Sequence, residues 1–158
     1  MNGQIVVEHE IMNPLNFLLG GRAEFTIKNI DSGVGFKYKV TKSKNYQSKN
    51  GKGHMYFVKV KSGSGWVYAG FLKEYDGKFY FGKGNKGNLE ENSLEIKGLM
   101  YAIKHGNSIL PRPMVMIHHC KCASCGKKLD DEESIQRGFG PVCWNRAKEI
   151  EKMQMPLF

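Results

Sequence analysis

The sequence predicts an α+β fold, in which a twisted antiparallel sheet carries one packed helix and is followed by a C-terminal module resembling a zinc knuckle. Apolar and polar residues alternate with a period of two through the first half of the chain. One stripe with helical spacing follows, and four cysteines crowd into residues 120–143. We therefore expect an α+β core over residues 1–113 and a zinc-binding module over residues 114–158, integrated with that core.

The first half of the chain predicts a short helix and then five strands. Asn13 before Pro14 is typical of a helix cap, so we expect a helix over residues 15–19 that ends at Gly20. Thr41 to Gly53 has no apolar period and predicts a loop. The five strands are expected in the alternating segments, at residues 23–27, 36–40, 56–61, 66–72 and 79–81.

A different period predicts the packed helix. Ser93 is a plausible N-cap, and the apolar stripe after it ends at Gly106; its members are Ile96, Leu99, Met100 and Ile103. Pro111 and Pro113 break the chain before residues 114–117, which predict a short edge strand leading into the cysteine region.

The cysteine region predicts a metal site. Cys122 and Cys125 form a C-x2-C pair, whose spacing lets two thiolates converge on one ion from a tight turn. Pro141 suits a first helical position, so Cys143 is expected in the first turn of a helix that runs through residues 147–152. A redox pair or a disulfide fits less well, because redox pairs sit at a helix start in a βαβ context and a reducing compartment disfavours disulfides.

The fourth ligand is open among His118, His119 and Cys120. Alternation along residues 114–119 sends neighbouring histidines to opposite faces, so one of them should reach the metal. His118 gives the spacing H-x3-C-x2-C-x17-C, whereas Cys120 would give a tight C-x-C pair. Four such ligands leave no position for water, so the predicted Zn2+ is structural.

No enzyme signature accompanies these ligands. The sequence has no H-E-x-x-H and no His-x-Glu ahead of a cysteine pair, both of which are typical of catalytic zinc. The acidic run from Asp130 to Glu133 is interpreted as the first turn of a short helix, where carboxylates favour the positive helix end. We therefore expect a non-enzymatic protein.

The segment from Cys122 to Trp144 resembles the C-terminal signature of a bacteriophage-encoded zinc-binding family of unknown function. That family shows a histidine, C-x2-C-G, a Leu-Thr-x-Pro-Glu-Ser-Ile stretch and Gly-x-Gly-Pro-x-Cys. Its histidine aligns with His118 and its usual small residue with Cys120, so the resemblance favours His118 as the fourth ligand. Asp131 and Glu132 depart from the Thr/Pro region of the pattern. The likeness extends weakly upstream over most of the chain and implies one integrated unit. The chain also resembles zinc-containing anti-CRISPR proteins, which are small phage proteins of this kind.

The positive charge is regional. The chain has a formal net charge of +9. Residues 32–73 contain nine lysines and no acid, so the rest of the chain is balanced. On the predicted strands Lys37 and Lys39 share one face, as do Lys59 and Lys61. The predicted binding surface comprises Lys37, Lys39, Lys42, Lys44, Lys59, Lys61 and Phe57.

Two functions compete for this surface. The leading hypothesis, which the phage resemblance favours, is inhibition of a host macromolecular machine, with a CRISPR-Cas (Cas9-type) nuclease as the first candidate partner. The alternative is a single-stranded nucleic-acid-binding module, because lysines beside aromatic residues suit phosphates and stacked bases. The lysines also have an explanation without any binding role, because lysine is an ordinary solvated residue on the outer face of an antiparallel sheet. No apolar stretch is long enough to span a membrane, and the N-terminus lacks a secretory signal, so a cytoplasmic location is expected.

Overall fold

The computed structural model describes residues 7–44, 53–75, 77–83 and 93–146. The chain forms a curled six-stranded antiparallel sheet with a few short helices, which confirms the predicted α+β class. The elements in chain order are α1 (Pro14–Leu18), β1 (Arg22–Asn29), β2 (Gly35–Lys42), β3 (His54–Ser62), β4 (Gly65–Tyr75), β5 (Lys78–Gly82), α2 (Leu94–Lys104), β6 (Met114–His118) and α3 (Glu132–Arg137). Residues 141–146 form one more helix, α4.

The sheet has the strand order β5-β4-β3-β2-β1-β6. The first five strands form a meander, and the chain then crosses back so that β6 pairs with β1, with Phe25 opposite His118. The predicted edge strand over residues 114–117 is therefore confirmed. The boundary predicted between residues 113 and 114 falls just before a strand of this same sheet, so β6 joins the metal region directly to the core.

The core lies on one face of the sheet, as the alternation predicts. Phe25, Tyr38 and Val58 come from neighbouring strands and are fully buried. The rings of Phe25 and Tyr38 stack with their centroids 5.4 Å apart. Phe17 of α1 packs edge-on against Phe25. Both α1 and α2 thus cover the inner face, and lysines of β2 and β3 occupy the outer one.

Helix α2 forms for the reasons that the sequence indicates. The Ser93 hydroxyl accepts a hydrogen bond from the Ile96 amide at 3.3 Å, which satisfies one of the unpaired N–H groups of the first turn. The Tyr38 hydroxyl donates to the Glu95 carbonyl at 2.6 Å and fixes the helix on the sheet. Burial, together with the Glu95 carboxylate, raises the pKa of Tyr38 well above its usual value. The phenol therefore stays protonated as a donor.

Some local predictions need correction. Asn13 occupies the cap position of α1, but its side chain makes no capping hydrogen bond. The strands are longer than expected: β2 continues to Lys42 and β3 begins at His54, which shortens the loop predicted from Thr41 to Gly53. Residues 45–52 of that loop, and the helix predicted through residues 147–152, lie outside the described residues.

Candidate metal centre and cationic sheet face

A tight turn over residues 121–128, here called the cysteine turn, brings Cys122 and Cys125 together. The Cys122 amide donates to the Lys127 carbonyl at 2.8 Å, and the Gly126 amide donates back to the Cys122 carbonyl at 2.9 Å. Gly126 adopts a φ of +79°, a conformation that glycine reaches without a steric penalty. An antiparallel bridge between Lys121 and Lys128 closes the turn.

Cys143 reaches the same point from α4. Helix α3 ends at Gly138, whose φ of +78° reverses the chain, and the Gly138 carbonyl accepts from the Ala123 amide at 2.9 Å. The Trp144 amide donates to the Gly140 carbonyl at 2.8 Å, so Cys143 lies in the first turn of α4, as predicted. The sulfurs of Cys122, Cys125 and Cys143 all lie within 4.8 Å of one another.

The environment of the three thiols favours a thiolate at Cys122. Burial raises the pKa of Cys122, but backbone N–H groups of Gly140, Cys125 and Ser124 donate towards its sulfur and leave the pKa below its usual value. The Gly140 amide lies 3.4 Å from this sulfur. Burial raises the pKa of Cys143, and so does its proximity to Cys122. Three converging thiols, one of them with a lowered pKa, are a suitable donor set for a soft or borderline metal ion.

The cysteine turn is fitted closely against the start of the sheet. The Arg22 amide donates to the Ala123 carbonyl at 2.7 Å. A side chain at Gly20 would come within 2.8 Å of Ala123, so this contact requires glycine. Phe139, between α3 and α4, packs edge-on against Phe17 with the ring centroids 6.2 Å apart. The three-cysteine cluster is thus attached to α1 and β1.

The structure places the predicted fourth ligand in a different group. His118 and Cys120 lie with His9, and their ligand atoms are within 4.8 Å of one another. Within the described residues, no histidine, cysteine or carboxylate joins the three-cysteine cluster at that distance. His118 as its fourth ligand, or Cys120 as the alternative, stays a prediction. All five histidines and four cysteines of the chain are described.

His9 is a site residue that sequence reasoning missed. It lies 111 positions from Cys120, and no spacing motif links the two. The N-terminal segment reaches β6 through backbone hydrogen bonds, Ile11 to Met116 at 2.9 Å and His118 to His9 at 3.1 Å. A histidine near the N-terminus and a histidine and cysteine more than a hundred residues later share no spacing motif, so the sequence does not predict their contact.

His118 and His119 point to opposite faces, as the alternation predicts. His118 is buried against Phe17, whose ring is stacked on it at 5.8 Å. His119 contacts the Thr26 hydroxyl at 3.0 Å on the outer side. Burial lowers the pKa of His119, with a further decrease from Lys37. Its Nδ1 is buried and has no hydrogen-bond partner among the described residues.

Residues 117–148 match the model of a family of unknown function, DUF6011. This DUF6011 segment contains the three-cysteine cluster, His118 and Cys120, but His9 lies outside it. No curated protein and no solved structure matches the chain. The match thus supports a resemblance to a family of unknown function, and the geometry independently gives cysteine and histidine groups that could bind a metal. The bacteriophage origin and the anti-CRISPR comparison remain predictions.

The outer face of the sheet, outside the DUF6011 segment, carries a cluster of lysines around one indole. The ammonium groups of Lys39, Lys61 and Lys37 lie 4.4, 5.3 and 5.9 Å from the centroid of the Trp66 ring. Lys39 and Lys59 are direct cross-strand partners, and so are Lys61 and Trp66. We call this surface the cationic face; it comprises Lys37, Lys39, Lys59, Lys61, Phe57, Trp66 and Tyr68.

The remaining predicted surface residues lie apart from the cationic face. Lys42 and Lys44 line an open cavity of about 510 Å³ at the end of the first three strands, with Arg22 and His54. Ser124 of the cysteine turn forms part of its wall, and no acidic residue is among the described lining. Among the described helices, none is long and apolar enough to cross a membrane.

Proposed function

We propose that this protein is a non-enzymatic module that binds single-stranded nucleic acid on its cationic face, with a structural Zn2+ holding its C-terminal segment. The observation that carries the proposal is the group of three lysine ammonium groups around Trp66. The nucleic-acid hypothesis is thereby favoured over the inhibitor hypothesis, because it accounts for both the charges and the aromatic residues of this face.

The placement of the lysines supports an anionic partner. Lys39 and Lys59 face each other directly across β2 and β3. Like charges in direct cross-strand pairs destabilise a sheet. Glu24, opposite Lys39 on β1, offsets part of this repulsion, but its carboxylate is bound to Lys121 at 2.8 Å. A phosphate backbone lying across β2 and β3 would relieve the remaining repulsion.

The aromatic residues support a single strand over a duplex. Phe57 is 37% exposed on the same face, and its ring centroid lies 6.3 Å from that of Tyr68. Unpaired bases stack on such rings, which contributes about 1–3 kcal/mol per base, whereas duplex bases are not accessible for stacking. Lysines that flank the rings are able to follow the phosphates between stacked bases.

Zn2+ fits the three-cysteine cluster by its donor chemistry. Thiolate ligands on a C-x2-C turn with a third cysteine in a helix are typical of structural zinc. The amides that donate to Cys122 would orient and stabilise that thiolate in the bound state. In this role the ion would link the cysteine turn to α4 and leave the cationic face free for its partner.

Fluorescence anisotropy with labelled single-stranded and duplex oligonucleotides across a salt series tests the proposal. We expect tighter binding of the single strand, with log K falling by about 0.7 per phosphate contact for each unit of log salt. Lys39→Glu and Lys61→Glu should weaken binding strongly. Lys97→Glu and Lys104→Glu, on the exposed side of α2, make the same charge change and should leave binding unaltered.

Two results would count against nucleic acid. If there is no binding at low salt, or if the α2 variants weaken binding as much as the cationic-face variants, the proposal is wrong. The inhibitor hypothesis is tested in parallel by the cleavage activity of a purified Cas9-type nuclease with and without this protein. Inhibition that is lost in Lys39→Glu, together with no oligonucleotide binding, would favour a protein partner.

A further inference from the structure

A second set of metal-ligand side chains lies where the N-terminal segment meets β6. Cys120, the cysteine outside the three-cysteine cluster, has its sulfur 3.7 Å from Nδ1 of His9 and 3.8 Å from Nε2. The rings of His9 and His118 have their centroids 5.4 Å apart. His118 is buried, and the other two side chains are half-buried. The three ligand atoms lie within 4.8 Å of one another.

Each histidine has one nitrogen turned away to an oxygen acceptor. Nε2 of His9 lies 3.1 Å from the Glu8 carboxylate, which leaves Nδ1 towards Cys120. Nδ1 of His118 accepts from the Cys120 amide at 3.0 Å and is therefore unprotonated. The same ring also forms a hydrogen bond with the backbone of Ile135. Metal-binding histidines typically donate their second N–H in this way.

The backbone at this point is held in an unusual conformation. His9 and Cys120 have φ values of +63° and +59°, and within the described part of the chain they are the two non-glycine residues with positive φ. Such conformations are unfavourable for residues other than glycine and cluster at functional sites. Here both strained residues contribute a donor to the same small group, which ordinary packing would not require.

We propose that His9, His118 and Cys120 form a second site for a Zn2+-class metal ion, separate from the three-cysteine cluster. Tetrahedral zinc with its usual bond lengths separates its ligand atoms by about 3.4–3.6 Å, so each donor pair, now within 4.8 Å, needs to close by no more than about 1.4 Å. The ion would replace the hydrogen bond from the Cys120 amide to His118. Three protein ligands leave one position for water or an external ligand.

This assignment has a consequence for the first site. If His118 and Cys120 belong to the second ion, neither of them is the fourth ligand of the three-cysteine cluster. The second ion would also attach the N-terminal segment to β6 through His9. A chain that lacks His9 should then bind one ion while its sheet remains folded.

Metal stoichiometry of the full-length protein tests the proposal. We expect the anaerobically reduced protein to bind about two equivalents of Zn2+, and of Co2+ as a spectroscopic probe. His9→Gln and Cys120→Ser should each remove one equivalent and preserve the cobalt–thiolate absorption of the three-cysteine cluster. Cys143→Ser should instead reduce that absorption. His54→Gln, a histidine outside both groups, is the matched control and should bind both equivalents.

The opposite results are equally specific. One equivalent in the unaltered protein, lost in His118→Gln and unaffected by His9→Gln, would assign His118 to the three-cysteine cluster and overturn the second site. Two equivalents that persist in both His9→Gln and Cys120→Ser would also overturn it. Because these two substitutions are measured separately, the result does not depend on either variant alone, and oligonucleotide binding remains an independent readout.

Discussion

The cysteine region and the cationic face differ in how they are organised. The cysteine region combines three sulfurs that lie within 4.8 Å of one another with two glycines of positive φ and a buried contact between phenylalanine rings. On the cationic face the side chains are exposed or half-buried, and three lysine ammonium groups surround the Trp66 ring. Substitutions in the first region should therefore act on stability, and substitutions in the second on binding.

The largest effect is expected from removing the metal of the three-cysteine cluster. Cys143→Ser or a chelator should unfold the C-terminal segment, because the free energy of metal binding contributes to folding in such modules. In zinc-finger peptides this contribution is about 10–16 kcal/mol. Trp144 packs against Phe139 at 5.8 Å and reports this region in a Trp66→Phe background. Its fluorescence should change well before the far-UV circular dichroism of the sheet is lost. Simultaneous loss of both signals would show that the two regions unfold as one unit.

Two phenylalanines provide the next comparison. Phe17 is 1% exposed and contacts Phe25, Phe139 and His118, so Phe17→Ala should destabilise the protein by about 3–5 kcal/mol. Phe57→Ala, on the cationic face, should cost less than about 1 kcal/mol because the ring is 37% exposed, and should weaken oligonucleotide binding instead. Urea unfolding and anisotropy on both variants measure the contrast. Equal losses of stability would contradict the proposed difference between the regions.

Two glycines with the same φ of +78°, Gly77 and Gly138, allow the cost of backbone strain to be measured separately from the cost of a steric contact. Alanine at Gly77 would meet nothing within 4 Å, so Gly77→Ala should cost about 1–2 kcal/mol from strain alone. Alanine at Gly138 would come within 2.6 Å of the Phe17 ring, and we expect a clearly larger loss. The difference in urea midpoint measures the contact. Identical values would mean that the ring shifts without resistance.

The smallest effect is expected at the ion pair that joins the two regions. Burial raises the pKa of Glu24. The hydrogen bond and charge of Lys121, together with the charges of Lys37 and Lys39, lower it by a larger amount, so the net shift is downward. A carboxyl with a lowered folded-state pKa stabilises the protein above the ordinary glutamate value of 4.5. That contribution is lost as the pH falls through the lowered pKa.

Thermal unfolding between neutral and acidic pH tests this ion pair. Because Lys121 is half-exposed, the contribution should not exceed about 1 kcal/mol. Glu24→Gln should be slightly less stable than the unaltered protein at neutral pH and should differ from it less in acid. A difference between the two proteins that grows as the pH falls would have the wrong sign.

The sequence by itself predicted the features that depend on neighbours along the chain. Alternation placed Tyr38 inside and Lys37 and Lys39 outside, because side chains of a strand alternate between faces. Ser93 marked the start of α2 because the capping hydrogen bond spans three residues. The C-x2-C spacing predicted that Cys122 and Cys125 converge, since a turn of this length determines their separation.

The tertiary structure decided what depends on distant segments. Only the pairing of the N-terminal segment with β6 brings His9 to Cys120, and no local pattern encodes a contact across 111 positions. The register of β2, β3 and β4 determines that three lysines surround Trp66. Asn13 is a residue type that favours helix caps, but at a φ of −124° and a ψ of 76° its side chain makes no capping hydrogen bond. Local periods specify faces and turns, whereas contacts between elements depend on how the whole sheet packs.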